Sequence, residues 1–162
     1  PLNYTQELLE DCQKSLERLY TCRNNLDFAL ENAQGSDETL KEKAAAARQK
    51  FCQAMDDDLN TPAALAAVFD FVREINTLSA EASAEALQEA AKTFDELTGV
   101  LGIVYQRKKE EIPADIIALV EERAQAKKEK NWARADEIRA ELTEKGFVVE
   151  DTPKGPKVSR AK

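Results

Sequence analysis

For most of this chain, apolar residues recur at steps of three and four, the spacing that gathers side chains on one face of an α-helix. Leu8, Cys12, Leu16, Leu19, Tyr20, Leu26 and Leu30 form the first stripe, with Arg23 as its one polar member, and Thr5 suits the N-cap. A helix is therefore predicted from Thr5 to about Leu30. Gln34, Gly35, Ser36 and Asp37 then supply a glycine stop and an aspartate start. Leu40, Ala44, Ala47, Phe51 and Met55 stripe a second helix, and Leu65, Val68, Phe69, Val72, Ile75 and Asn76 a third. Between these two, Asp56, Asp57 and Asp58 lead through Leu59 to Asn60, Thr61 and Pro62. Asn60 or Thr61 can cap the new helix, and Pro62 fits its first turn. Leu87, Ala90, Ala91, Phe94 and Leu97 mark a fourth helix ending near Gly99 to Gly102. Four amphipathic helices with short connections bury their stripes most simply as an antiparallel four-helix bundle. Tyr20, Phe28, Phe51, Phe69, Phe71 and Phe94 are expected in its core.

From Val104 to Pro113 the pattern breaks into consecutive polar residues, Gln106 to Glu111, which predicts a linker. Ile116, Leu119, Val120 and Arg123 then suggest a fifth helix reaching Lys130. Asn131 can cap a sixth, Trp132 to Lys145, striped by Ala135, Ile138 and Leu142 and stopped by Gly146. The period next falls to that of strands. Phe147, Val148 and Val149 lead to a turn at Thr152 to Gly155, with Lys157, Val158 and Ser159 as the return strand. The fold class expected is mainly α: a helical bundle over 1–103, a linker over 104–113, and a small α+β module of two helices and an antiparallel hairpin over 114–162. A module of about 50 residues has little core of its own.

Composition narrows the chemistry. The 162 residues, 43% hydrophobic with only five Gly and five Pro, describe a globular chain. No apolar run is long enough to cross a bilayer and no secretory leader is present, which predicts a cytoplasmic protein without membrane contact. Pro1 in place of Met predicts a piece of a longer chain. Cys12, Cys22 and Cys52 sit among helical apolar positions and are expected to be buried or half-buried thiols. There is no His, which removes the usual general base and most zinc sites and argues against catalysis by these residues alone. The Asp56 to Asp58 run is expected to complement the positive end of the following helix rather than to hold a metal.

Charge is divided unevenly. Residues 1–105 carry nine basic and nineteen acidic side chains, whereas residues 106–162 carry fourteen and twelve, so the net −8 conceals a slightly basic tail. A polyanion would have to be met there, by local patches. Lys127, Lys128, Lys130, Arg134 and Arg139 surround Trp132, the only tryptophan. Cations beside a flat ring suit single-stranded nucleic acid, in which phosphates meet charge and bases stack. Asp136 follows Trp132 by one helical turn, and Glu150 and Asp151 lie on the hairpin. Carboxylates inside a basic patch can accept hydrogen bonds from a base edge, as specific readout requires. A protein-interaction module without RNA binding is the other reading of an acidic bundle.

The stretch FCQAMDDDLNTPAALAAVFDFVREIN closely resembles a segment that follows the catalytic domain of bacterial cysteinyl-tRNA synthetases. PLNYTQELLEDCQKSLERLYT is similar to the opening of their helical bundle, and KNWARADEIRAELTEKGFVVEDTPKG to their C-terminal anticodon-binding module. This resemblance implies a DALR-type bundle against the anticodon stem and a small module over the anticodon loop of the tRNA for cysteine. It implies a monomeric, ATP-dependent class I ligase whose ATP and zinc belong to an upstream catalytic domain, with no cofactor or metal in the present residues. By the same resemblance Trp132 would stack on an anticodon base, Asp136 and Asp151 would read base edges, and Lys127 would supply a cation, standing where some relatives have Arg. Lys130, Arg134 and Arg139 complete the set of expected RNA contacts.

Overall fold

A computed structural model describes residues 4–104, 112–152 and 155–160. The chain divides into two compact units, Pro1–Arg107 and Lys108–Lys162. Most of the linker expected at 104–113 lies outside the described residues.

The first unit contains α1 (Gln6–Glu31), α2 (Thr39–Asp56), α3 (Thr61–Leu78) and α4 (Ala84–Val100). Three of the four starts are set by a side-chain cap, which satisfies an amide that would otherwise lack a partner. Thr5 accepts from Leu8 N at 3.2 Å, Asn60 from Ala63 N and Ser83 from Ala86 N, both at 3.1 Å. Gly102, with φ of 67°, ends α4: the Ile103 amide reaches back to the Thr98 carbonyl at 3.1 Å.

Leu19, Leu26, Leu40, Ala44, Phe51, Val68, Phe71, Ile75, Leu87, Phe94 and Leu97 form the buried core. Helices α2 and α4 run parallel. Lys41 meets Glu85 at 2.6 Å, and two turns further on Arg48 meets Glu89 at 3.5 Å and Glu96 at 2.7 Å. The connections before these helices also pair, with Asp37 N on Glu81 O at 3.1 Å and Ser83 N on Asp37 O at 2.9 Å. Arg23, the polar member of the α1 stripe, is buried and fully used. It makes a fork to Asp95 through Nε and Nη2, at 2.7 and 2.9 Å, and reaches Asp27 through Nη1 at 2.6 Å.

Five expectations need correction. Tyr20 and Phe28 are only half-buried, whereas Phe51, Phe71 and Phe94 lie in the core and Phe69 packs against it. The α1 stripe is buried only from Leu19 onward; Leu8, Cys12 and Leu16 are exposed, because among the described residues of the first unit no other helix covers that end. Cys12 and Cys52 are exposed, and only Cys22 is a buried thiol. Gly35 is not the helix stop, since α1 is capped at Asn32. It is small because a Cβ there would come within 2.0 Å of the Glu81 carbonyl oxygen. Asp56 and Asp57 lie at the C-terminal end of α2, where the helix dipole disfavours negative charge, and not in the first turn of α3. The chain turns this corner through left-handed Asp58 and Leu59, held by Leu59 N on Met55 O at 3.1 Å and Asn60 N on Ala54 O at 3.0 Å.

The second unit contains α5 (Ala114–Lys128), α6 (Trp132–Glu144), β1 (Phe147–Thr152) and β2 (Gly155–Arg160). The strands are antiparallel, with Val149 opposite Val158 and Asp151 opposite Pro156. Ile116, Val120, Ile138, Leu142, Phe147 and Val149 form a separate apolar core.

Burial pushes the Cys22 thiol up to about 12, partly opposed by the neighbouring Arg23 charge. The thiolate is the reactive form, so Cys22 is expected to resist a thiol reagent at about pH 8 until the chain is unfolded, while Cys12 and Cys52 react at once. Three promptly reacting thiols would contradict the packing of α1. Gly35→Ala is expected to destabilise the bundle by about 1–3 kcal/mol in urea unfolding, because the Glu81 backbone must retreat.

Candidate nucleic-acid interface

The corner between α5 and α6 organises the expected site. Helix α5 closes with the Asn131 amide on the Ala126 carbonyl at 2.8 Å and the Lys130 amide on the Lys127 carbonyl at 3.1 Å, the pattern that ordinarily places glycine in the left-handed position. Here Lys130 occupies it with φ of 59°, a conformation that costs on the order of 1 kcal/mol for a side chain with a Cβ. Asn131 then caps α6, accepting from Arg134 N at 3.3 Å, and Trp132 becomes the first helical residue. The residue is 58% exposed, so core packing does not account for it.

Trp132, Asp136, Arg139 and Thr143 follow one another at steps of four, three and four and therefore share one face of α6. That face is exposed at all four positions, and Asp136, Arg139, Ala140, Thr143 and Glu144 line a shallow open depression along it. The buried stripe, Ala135, Ile138 and Leu142, lies on a neighbouring face. Arg134 is not part of the tryptophan face. Its position, two residues after Trp132, turns it half way round the helix, where it pairs with Glu122 of α5 at 2.8 Å and Glu137 at 3.1 Å. These carboxylates hold its pKa above the ordinary arginine value.

Asp151 belongs to the inward-facing set of β1, two residues beyond Val149 as Val149 is two beyond Phe147. That alternation aims it at α5. Arg123 grips it with Nη1 on Oδ1 at 2.9 Å and Nη2 on Oδ2 at 3.0 Å, and Lys127, one turn along the helix, adds Nζ on Oδ2 at 2.8 Å. Hydrogen bonds from Arg123 and then Lys127 hold the Asp151 carboxyl well below the usual carboxylate range. Arg123 is raised in turn, first by its bond to Asp151, then by the Asp151 charge and the more distant charge of Asp136. Lys127 and Asp151 thus come together as partners of each other.

Among the described residues, Lys128, Lys130 and Arg139 form no ion pair, and all three are exposed. Of the five cations expected around Trp132, these three are the ones without a carboxylate partner among the described residues. Sequence reasoning placed Arg123 on an apolar stripe and gave it no role. The available signal was a guanidinium at a core position, since a buried charge requires a partner, together with an aspartate in phase with Phe147 and Val149.

No group of three or more Cys, Asp or Glu side chains among the described residues could hold a metal ion, and the chain has no His. The described residues therefore do not fit a zinc site. No helix among them is long and apolar enough to cross a membrane.

Two protein-family models match the chain: the DALR domain over residues 50–106 and the cysteinyl-tRNA ligase anticodon binding domain over residues 109–157. The cysteine–tRNA ligase of Caldicellulosiruptor saccharolyticus is 46% identical over 167 residues, which cover 100% of this chain and 36% of the relative. That of Shouchella clausii is 42% identical over 165 residues, covering 99% of this chain and 35% of the relative. The chain spans about a third of the length of the curated relatives it matches.

Because the Asp151 carboxyl lies below its unfolded value of about 3.9, it contributes stability that is complete above that pH and is lost as pH falls through the folded value. Its side-chain 13C resonance is expected to stay that of a carboxylate from pH 7 down to about 4, with the Asp151→Asn variant losing less stability on acidification. Titration near 3.9 would contradict the ion cluster.

Proposed function

Since the chain belongs to the cysteine–tRNA ligase family, of which it matches the C-terminal part, we propose that it holds tRNA for cysteine and that its second unit reads the anticodon loop. The observation that carries this reading is the exposed Trp132 at the start of α6, with Asp136 and Arg139 one and two turns along the same face. An indole open to solvent offers a stacking platform to an unpaired base, a carboxylate beside it can accept from the amino or imino edge of that base, and a cation further along can meet the backbone.

Lys128 and Lys130 supply further charge at the α5–α6 corner. Lys127 and Asp151 act as a pair, and Arg134 fastens α6 to α5 and touches RNA only if Glu122 and Glu137 release it. The acidic bundle carries net negative charge and contributes shape and placement against the stem rather than electrostatic attraction. The anticodon-binding match favours this reading over a protein-interaction module. The protein would serve a cytoplasmic, monomeric ligase that joins cysteine to its tRNA with ATP, and ATP and zinc contacts are assigned to none of the residues described.

Trp132 is the only tryptophan, so its fluorescence reports the site directly. Titration with tRNA for cysteine is expected to quench it, and Trp132→Ala is expected to weaken binding by about 1–3 kcal/mol, the range for one lost base stack. Asp136→Ala should reduce preference for the cognate anticodon over a single-base variant. Unchanged affinity for Trp132→Ala together with unchanged preference for Asp136→Ala would reject the assignment. Amide signals of α6 and β1 that do not move on adding tRNA would support the protein-interaction alternative.

A further inference from the structure

Two buried arginines in this chain grip a carboxylate, and they do so differently. Arg23 approaches Asp95 side-on through Nε and Nη2 and gives Nη1 to Asp27, so every nitrogen has a partner. Arg123, whose side chain is 7% exposed, approaches Asp151 end-on through Nη1 and Nη2. This leaves its buried Nε without a hydrogen-bond partner among the described residues. An unsatisfied buried donor is a cost that a purely structural ion pair would avoid, as Arg23 does. The end-on fork nonetheless orients its partner as firmly as the side-on one. Two parallel hydrogen bonds fix both the direction and the plane of the carboxylate, which a single contact from lysine cannot do.

Asp151 is 52% exposed, so its far side is open. A carboxylate has about four acceptor positions. Arg123 uses one on each oxygen and Lys127 a second on Oδ2, which leaves the outer position on Oδ1 unused among the described residues. If Lys127 moves to a phosphate, two adjacent acceptors face outward. Arg123 also feels the charge of Asp136, so one buried cation serves both carboxylates expected to meet bases.

We propose that Arg123 is a positioning residue for anticodon recognition: it touches no RNA, and through the end-on fork it sets the plane in which Asp151 presents its free acceptor to a base edge. This rests on the anticodon-reading function proposed above. Lys127, partly exposed and held by one contact, is the member that exchanges its partner for phosphate.

The test uses the 162-residue chain, fluorescence of Trp132, and anticodon stem–loop RNAs carrying the cysteine anticodon or single-base variants of it. Arg123→Lys retains the charge and loses the fork. It is expected to leave the Trp132 quench and the salt dependence of binding intact while reducing cognate preference at one anticodon position by about tenfold, the effect of one misaligned hydrogen bond. Asp151→Asn should reduce preference at the same position, and adding Arg123→Lys to it should change nothing further, because the two act in series. Amide spectra of β1 show whether the hairpin keeps its place. Should Arg123→Lys detach the hairpin, the Lys127→Ala chain decides: its fork is untouched, so preference must survive while affinity falls, and lost preference overturns the proposal. Wild-type preference in Arg123→Lys, or additive losses in the double variant, would overturn positioning by Arg123 even if Asp151→Asn is impaired and anticodon reading stands. Wild-type preference in Asp151→Asn, with no Trp132 quench in any chain, would overturn the anticodon reading as well.

Discussion

In the second unit a guanidinium and a carboxylate meet at the edge of a six-residue apolar core and tie the hairpin to α5. Burial of Ile116, Val120, Ile138, Leu142, Phe147 and Val149 brings the two helices and β1 together, but apolar burial has no direction. The Arg123–Asp151 fork supplies direction, because it is satisfied only when β1 lies at one distance and one rotation from α5. The bond that orders the hairpin also decides how much of Asp151 remains available to a ligand. Under the proposed anticodon reading, structure and recognition would be coupled through this one side chain.

The first unit solves its packing differently. Its core is larger, its buried polar groups are matched, and its specificity lies in close approach. Gly35 lets the connection before α2 lie directly against the connection before α4, and the Asp37 backbone bonds that follow align these helices in parallel. The ion pairs along α2 and α4 lie at the surface, where such contacts add little to stability individually and more to register. Such a unit carries net negative charge and is poorly suited to attracting a polyanion.

The basic residues near Trp132 bear on this. A patch of five cations suggests nonspecific attraction, yet Lys127 and Arg134 are committed to carboxylates on α5, α6 and β1. Three exposed cations, one open indole and two carboxylates remain. Under the proposed function that mixture would give weaker general attraction and more discrimination between bases, because each carboxylate repels phosphate and rewards only a correctly placed donor.

Local pattern decided much of this protein. Every described helix was legible from its period, and some of their ends from caps: Asn60 and Asn131 begin α3 and α6 as their side chains require, Gly146 ends α6 with φ of 80°, and Phe147 and Val149 alternate with Val148 as a half-buried strand. These features depend on residues within four positions of one another, so the chain order contains them. The exposed face shared by Trp132, Asp136 and Arg139 was legible for the same reason. The tertiary structure alone decided which length of the α1 stripe is covered, that Cys12 and Cys52 are open, and that Arg123 faces Asp151 across 28 positions. Periodicity says which side of an element is apolar or charged. Which other element lies against that side depends on the three-dimensional path of the chain, and there the partners of buried charges are chosen.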